Sequence, residues 1–299
     1  MSTSALARPP ALQAGAKVRI IAPASPFDRT RFEQGLPFLS ERYQTSLAPS
    51  LFASAGFLAG DDAARLADLD QALGDREIGA LIAARGGYGS TRLLPQLSPQ
   101  KVRAANQWLV GFSDITALHA LWARAGLCSI HGPMVCSLGE GSMGVRDAFF
   151  DLLEGQDPRA LTGLSTVSGG RASGRLFGGN LTVLASLAGT PYAPSLDGVV
   201  LVLEDIAERP YRVDRMLTTM LQAGFLSGVR GVVLGQFTQC DPGPDGTSVE
   251  HVLVERLSAL RVPIVGNAPV GHVAENMPLL FGAIAQLDAD AGRVDFEAP

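Results

Sequence analysis

Ser113, Glu204 and His272 are the residue types that compose a nucleophile, an orienting carboxylate and a general base, in the chain order serine, glutamate, histidine. A triad is recognised by roles and geometry rather than by sequence position, so each residue has to be judged in its own setting. Ser113 stands in Gly111-Phe112-Ser113-Asp114-Ile115-Thr116, where a buried strand is expected to turn directly into a helix. There its Oγ would stand clear at the strand's carboxyl end, beside the backbone N–H groups and positive dipole end of the helix start. The match to the nucleophile elbow Gly-x-Ser-x-Gly fails at its last position, which is Ile115. Serine is also a common helix cap, and this local pattern by itself weighs towards the cap. The reciprocal capping box is incomplete, because Thr116 stands where Glu or Gln would be needed.

The other two residues are as ambiguous locally. Glu204 ends the most apolar run of the chain, Val199-Val200-Leu201-Val202-Leu203, where a carboxylate could orient a histidine or form a surface ion pair with Arg209 or Arg212. His272 follows Gly271 in a loop, and a lone loop histidine is usually just exposed. The run Arg85-Gly86-Gly87-Tyr88-Gly89-Ser90 lies past another apolar segment, where glycines suit either an anion-holding nest or a tight turn. Arg85 and Arg92 could hold a carboxylate bidentately, but ordinary ion pairs are the simpler reading. His119, His131 and His251 have structural readings. Gly139-Glu140-Gly141-Ser142-Met143-Gly144 matches a dinucleotide fingerprint only formally. The segment before it is a poor strand and Glu140 would repel a pyrophosphate.

Composition narrows the chemistry by exclusion. The 299 residues carry 24 Lys plus Arg against 29 Asp plus Glu, a formal net charge of −5, which argues against a polyanion partner such as nucleic acid. Only Lys17 and Lys101 are lysines, neither in a Gly-Lys-Ser/Thr phosphate loop nor in the setting of a Schiff-base lysine. Cys128, Cys136 and Cys240 form no Cys-x-x-Cys pair, so neither a disulfide framework nor a zinc site is expected, and no metal or cofactor is called for. At 46% apolar and 18% charged the chain has much to bury. No run is long and apolar enough for a membrane span or a secretory leader, so a cytoplasmic location is expected.

The elements that must position these residues follow from apolar periodicity. Strands are expected at Lys17 to Pro23, around Thr45 to Ala48, at Ile78 to Ala84 and at Trp108 to Phe112. Helices are expected from Asp28 to Arg42, after the Asp61 cap, and from Asp114 to Ala125. This alternation predicts an α/β fold with a doubly wound, largely parallel sheet. The division is a flexible tail over 1–16, an N-terminal domain over 17–160, a Gly- and Ser-rich linker over 161–174 and a C-terminal domain over 175–299. In the second half, helices are expected at Asn180 to Ala188, Val213 to Ala223 and Val249 to Leu260. Strands are expected at Val199 to Leu203, Gly231 to Phe237 and Pro263 to Val265, with a closing hairpin of Leu279 to Leu287 and Arg293 to Phe296. That makes the second sheet more mixed than parallel.

Several motifs together carry a family resemblance. Ile21-Ala22-Pro23-Ala24-Ser25-Pro26, Ala84-Arg85-Gly86-Gly87-Tyr88-Gly89-Ser90, Gly111 to Thr116 and His131-Gly132-Pro133-Met134 resemble the LD-carboxypeptidase family of serine peptidases. So do Gly174-Arg175-Leu176-Phe177-Gly178-Gly179-Asn180, Leu203-Glu204-Asp205 and Gly271-His272. The resemblance implies a Ser-His-Glu hydrolase that releases terminal D-alanine from a murein tetrapeptide during cell-wall recycling in the cytoplasm. It implies Ser113 as nucleophile, His272 as base, Glu204 as its orienting carboxylate, and the backbone N–H groups of Gly87 and Asp114 as the oxyanion hole. It further implies a homodimer of chains with an N-terminal domain resembling class I glutamine amidotransferases and a smaller C-terminal swivelling β/β/α domain. Because Ser113 lies in the first domain and Glu204 and His272 in the second, the triad is expected to depend on domain juxtaposition. The alternatives are a microcin-immunity peptidase of the same family and a non-catalytic murein-peptide sensor.

Overall fold

A computed structural model describes residues 6–297. Two units are distinguished: Leu6–Gln156 with Ala274–Leu280, and Asp157–Val273 with the segment from Phe281 onward. Among the described residues no helix is long and apolar enough to cross a membrane.

The first unit alternates strands and helices: β1 (Lys17–Ile21), α1 (Arg29–Ser40), β2 (Gln44–Leu47), α2 (Asp62–Gly74), β3 (Ile78–Ala83), α3 (Pro99–Ala105), β4 (Trp108–Gly111), α4 (Thr116–Arg124), β5 (Ser129–His131), α5 (Val135–Leu138) and α6 (Met143–Leu153). Its sheet runs β2, β1, β3, β4, β5, and its first five strands pair in parallel throughout. β11 (Leu279–Phe281) extends the β5 edge. β4 is buried at every residue and β3 at five of six, as continuous apolar runs should be when helices cover both faces. Helix starts obey local chemistry: the Asp28 and Asp61 carboxylates accept the N–H groups of Arg31 and Ala64 at 2.9 and 2.8 Å. In such a sheet ligands collect outside the carboxyl ends of the strands where the winding reverses, here beyond β1 and β3.

The second unit comprises β6 (Ser165–Ser168), β7 (Arg171–Asn180), α7 (Leu181–Leu187), β8 (Val199–Ile206), α8 (Pro210–Gln222), β9 (Gly231–Thr238), α9 (Val249–Leu257), β10 (Ile264–Gly266), β12 (Ile284–Asp288) and β13 (Arg293–Glu297). The sheet order is β13-β12-β7-β8-β9-β10-β6, parallel from β7 to β10 and antiparallel at both flanks. The mixed character expected for this half is present.

Three sequence expectations need correction. The proposed linker over 161–174 is folded: β6 and the first part of β7 fall inside it, and the polar, glycine-bearing composition reflects half-exposed sheet residues. Of the proposed flexible tail, residues 1–5 lie outside the described residues, whereas the rest is packed. Ala7 bridges to Leu127, Leu12 is buried, and the Pro10 carbonyl accepts the Trp108 indole N–H at 2.9 Å. The expected strand Leu279 to Leu287 is broken at the Gly282 turn, its two parts, β11 and β12, joining different sheets.

Candidate active site

In the first unit a cluster is made by the turns that follow β1, β3 and β4. β4 stops at Gly111, and a short 3-10 turn, Ser113–Ile115, leads into α4. Ser113 has φ +62°, a left-handed conformation that costs a non-glycine residue about 1–3 kcal/mol and concentrates at functional sites. That is the sharp strand-to-helix turn an exposed nucleophile needs. Ser113 does not occupy the N-cap position expected of a capping serine, which belongs to Phe112.

The glycine turn lies directly against this serine. A Cβ on Gly86 would stand 2.9 Å from Ser113 Cβ and 3.1 Å from its Oγ, so residue 86 must be glycine for the two turns to approach. Gly87 has φ +106° and Gly89 φ +135°, conformations open to glycine. Ser25, from the loop after β1, braces the turn. Its N–H donates to the Gly86 carbonyl at 3.2 Å, and its Oγ accepts the Tyr88 N–H at 3.1 Å. The Asp114 carboxylate, 2% exposed, accepts the Ser90 N–H at 2.8 Å and so ties the two turns together. Burial pushes this carboxyl above its ordinary value, against the favourable N–H groups of Ser90 and Gly89. Beneath lies His119, which burial lowers to about 4 and so keeps neutral. Its Nε2–H donates to the Gly111 carbonyl at 2.9 Å and its Nδ1 accepts the Ser129 hydroxyl at 2.8 Å.

In the second unit the cluster is a buried acid and a histidine. Glu204, on β8, is fully buried, and its Oε2 accepts the His272 Nδ1–H at 2.8 Å. The pair fixes the ring orientation and assigns the Nδ1 proton to the Glu204 contact. Burial raises the Glu204 carboxyl above its ordinary value, opposed by His272 and reinforced by the Asp205 charge. The surface-pair reading of Glu204 fails, since Arg212 turns to Glu208 instead, at 3.7 Å. His272 is not simply exposed either: its side chain is 17% accessible.

A bulge delivers this pair. Leu203 pairs with Leu234 and Asp205 with Phe237, so Gly235 and Gln236 together oppose Glu204. The re-aimed Gln236 N–H donates to the Val270 carbonyl at 2.9 Å, anchoring the loop that carries His272. Gly271, at φ +117°, completes the approach, since a Cβ there would meet Glu204 Oε2 at 2.8 Å. Asp205 is a structural hub for the strand ends, accepting Asn180 Nδ2–H at 2.9 Å and Thr182 N–H and hydroxyl at 2.9 and 2.8 Å.

The structure thus joins Gly87, Ser113 and Asp114 in one unit, and Glu204 with His272 in the other. Sequence reasoning missed Ser25, Ser90, Asn180, Thr182 and the Gly235–Gln236 bulge as supports. Asn180-Leu181-Thr182 has the form of a glycosylation triplet, yet Asn180 caps α7 and Thr182 holds Asp205. Arg92 makes the ordinary ion pair expected of it, with Asp62 at 2.8 Å, whereas Arg85 donates to a backbone carbonyl, that of Pro26, at 2.8 Å. The formal dinucleotide fingerprint follows a helix, α5, rather than a strand, and Ser142 within it caps α6.

A left-handed serine beside backbone donors, in the first unit, and a carboxylate-held histidine, in the second, are residue types that serine hydrolases use. Models of the LD-carboxypeptidase N-terminal domain and C-terminal domain match residues 18–132 and 173–287, and the chain belongs to the LD-carboxypeptidase family of serine peptidases. A murein tetrapeptide carboxypeptidase of Pseudomonas aeruginosa is 34% identical over 300 residues, covering 93% of this chain and 94% of that protein. A Bacillus subtilis protein named as a probable murein peptide carboxypeptidase is 34% identical over 305 residues, 97% and 94% of the two chains. The crystal structure of a muramoyltetrapeptide carboxypeptidase from Oxalobacter formigenes superposes with TM-score 0.85 at 30% identity, covering 95% of this chain and 99% of that one. A microcin C7 self-immunity protein shares the fold, with TM-score 0.88 at 21% identity over 98% of each chain.

Proposed function

We propose that the protein is a cytoplasmic LD-carboxypeptidase, acting as a homodimer, that releases terminal D-alanine from murein tetrapeptide in cell-wall recycling. Ser113 is its nucleophile, His272 the general base and Glu204 the carboxylate that orients it. The observation that carries the chemistry is Ser113 itself, a non-glycine residue at φ +62° where a buried strand turns into a helix. The substrate class rests on the full-length relatives named for murein peptides. In the reaction, His272 Nε2 takes the Ser113 proton as Oγ attacks the carbonyl of the L-configured centre, lysine or meso-diaminopimelate. The Gly87 and Asp114 N–H groups receive the developing oxyanion, and His272 returns the proton to the departing D-alanine amine. Water, deprotonated by the same imidazole, then hydrolyses the acyl-serine ester. Glu204 holds the imidazole in the required tautomer and stabilises the imidazolium that forms.

The test is D-alanine release from purified tetrapeptide, with wild type active and Ser113→Ala folded but inactive. Undiminished turnover by that variant would remove Ser113 from the role. Absence of release by wild type, with the serine still reactive towards a fluorophosphonate, would reject the substrate and keep the nucleophile.

A further inference from the structure

Three loops meet at the carboxyl ends of β1, β3 and β4, and two buried charges hold them. The Asp114 carboxylate is 2% exposed and receives the Ser90 N–H at 2.8 Å, bridging the Ser113–Ile115 turn to the end of the glycine turn. Arg65, on α2, is 1% exposed, and its guanidinium donates to the Pro23 carbonyl and, at 2.5 Å, to Asp62 Oδ1. Its Nη1 lies against Gly89, where a Cβ would come within 2.6 Å. A fully buried cation and a fully buried carboxylate are rarely kept unless the geometry they enforce matters, because removing either from water is expensive. Here both press on the same four-residue turn, from opposite partners in sequence.

We propose that the Asp114 side chain, with Arg65 as the buried cation on the glycine turn, is a positioning group that fixes the spacing of the two oxyanion donors. Asp114 serves twice. Its backbone N–H is one donor, and its carboxylate, through Ser90, holds the turn that carries the other donor, the Gly87 N–H. Arg65 shapes that turn from below and binds it to the loop after β1, where Ser25 in turn grips Tyr88 N–H at 3.1 Å. The arrangement makes the register of one donor depend on the other, so that neither drifts while the carbonyl becomes tetrahedral. A misplaced oxyanion donor costs catalysis rather than binding, because the interaction strengthens only as charge develops. This inference rests on the proposed hydrolase reading.

Asp114→Ala, Asp114→Asn and Ser90→Pro test it. The proline removes the bridging N–H, and with it the Ser90 hydroxyl, at the first residue of the Ser90–Gln96 turn, a helical position that tolerates proline. Each variant is measured for kcat and KM on tetrapeptide and for the rate of Ser113 labelling by a fluorophosphonate. The expected result is an approximately hundredfold loss of kcat and of labelling rate in Asp114→Ala and Ser90→Pro, with KM changed less than about threefold. Asp114→Asn, whose amide oxygen can still accept the Ser90 N–H, should recover about tenfold or more of that loss. A merely structural role would lower the melting temperature without separating kcat from KM, and would not be rescued by the amide. Folded Ser90→Pro with kcat and labelling within about threefold of wild type would overturn the proposal, even if Asp114→Ala does not fold. Wild type that labels without releasing D-alanine would reject the substrate reading and leave labelling rates to decide the brace. Wild type that does neither would remove both.

Discussion

The candidate clusters of the two units reach preorganisation by different means. Around Ser113 the work is done by backbone: left-handed φ at Ser113, Gly87 and Gly89, an obligatory glycine at 86, and N–H groups aimed by turns. Around His272 the work is done by a carboxylate taken fully out of water, a β-bulge and a single 2.8 Å hydrogen bond. The first half stores its cost as conformational strain and the second as desolvation. The two costs respond to different substitutions and to different pH, so they can be separated experimentally.

The largest expected effect is at Ser113, the proposed nucleophile. Ser113→Ala should lower D-alanine release by about 10,000-fold or more while the melting temperature stays within a few degrees of wild type. Steady-state turnover alongside thermal unfolding checks both, and a loss of only tenfold would place the chemistry elsewhere. Glu204→Gln comes next, with a fall in kcat of about 100- to 10,000-fold, since the amide no longer stabilises an imidazolium. Its stability should move the other way. Burial raises the Glu204 carboxyl above its ordinary value, so its protonation stabilises the fold at acid pH and that contribution is lost as pH rises through the raised value. The neutral amide escapes this loss. Glu204→Gln should therefore unfold at a higher temperature than wild type at pH 8, with the gap closing towards pH 5. Melting curves at the two pH values decide it, and a variant less stable at pH 8 would show that the pair is a net stabiliser.

Glycine substitutions sharpen the contrast at a smaller scale. Gly271→Ala meets both a positive φ and Glu204 Oε2 at 2.8 Å, whereas Gly86→Ala meets the Ser113 side chain at 2.9 and 3.1 Å and the Asp114 backbone nitrogen at 3.3 Å, with no positive φ. Both should lower kcat, by about 10- to 100-fold. Gly271→Ala should in addition lose more stability, by about 1–3 kcal/mol, the usual cost of forcing a side chain into that backbone region. Equal melting temperatures for the two would mean that the His272 loop yields more readily than its hydrogen bonds suggest.

How much of this was visible in the sequence depended on the kind of device. Apolar periodicity located β3, β4, β8 and β9, because strands buried on both faces must be continuous apolar runs. Asp28 and Asp61 announced their helices through side-chain chemistry that is local by nature. The triad candidates were legible as residue types, but each local pattern pointed to a blander role, Ser113 to a cap and Glu204 to a surface pair. What decides between the readings is non-local. The left-handed turn at Ser113 is packed against Gly86 from the turn after β3, and the pairing of Glu204 depends on a bulge on β9 and a loop after β10. The polar segment at 161–174 misled for the same reason, since half-exposed strands of a mixed sheet carry no apolar run to betray them. Asp114 shows the limit most plainly: its carboxylate reaches back to Ser90, a partner that only the alignment of β3 with β4 can supply.

The smallest effect isolates strain from chemistry. Ser113→Ala and Ser113→Gly both delete the Oγ, so both should be inactive, and any difference between them reports the backbone alone. At φ +62° alanine keeps the steric cost that serine bears, because that cost arises from the Cβ against the neighbouring carbonyl, while glycine escapes it. Glycine also gains freedom in the unfolded chain, which works against it by about 0.5–1 kcal/mol. If the strain at the nucleophile lies in the usual range of about 1–3 kcal/mol, Ser113→Gly should exceed Ser113→Ala in stability by about 1 kcal/mol. Paired melting or denaturant curves read this directly. A glycine variant no more stable than the alanine one would mean that the turn around Ser113 is relaxed in this conformation, and that the Ser113 cluster, like the His272 cluster, is held by its hydrogen bonds rather than against a backbone cost.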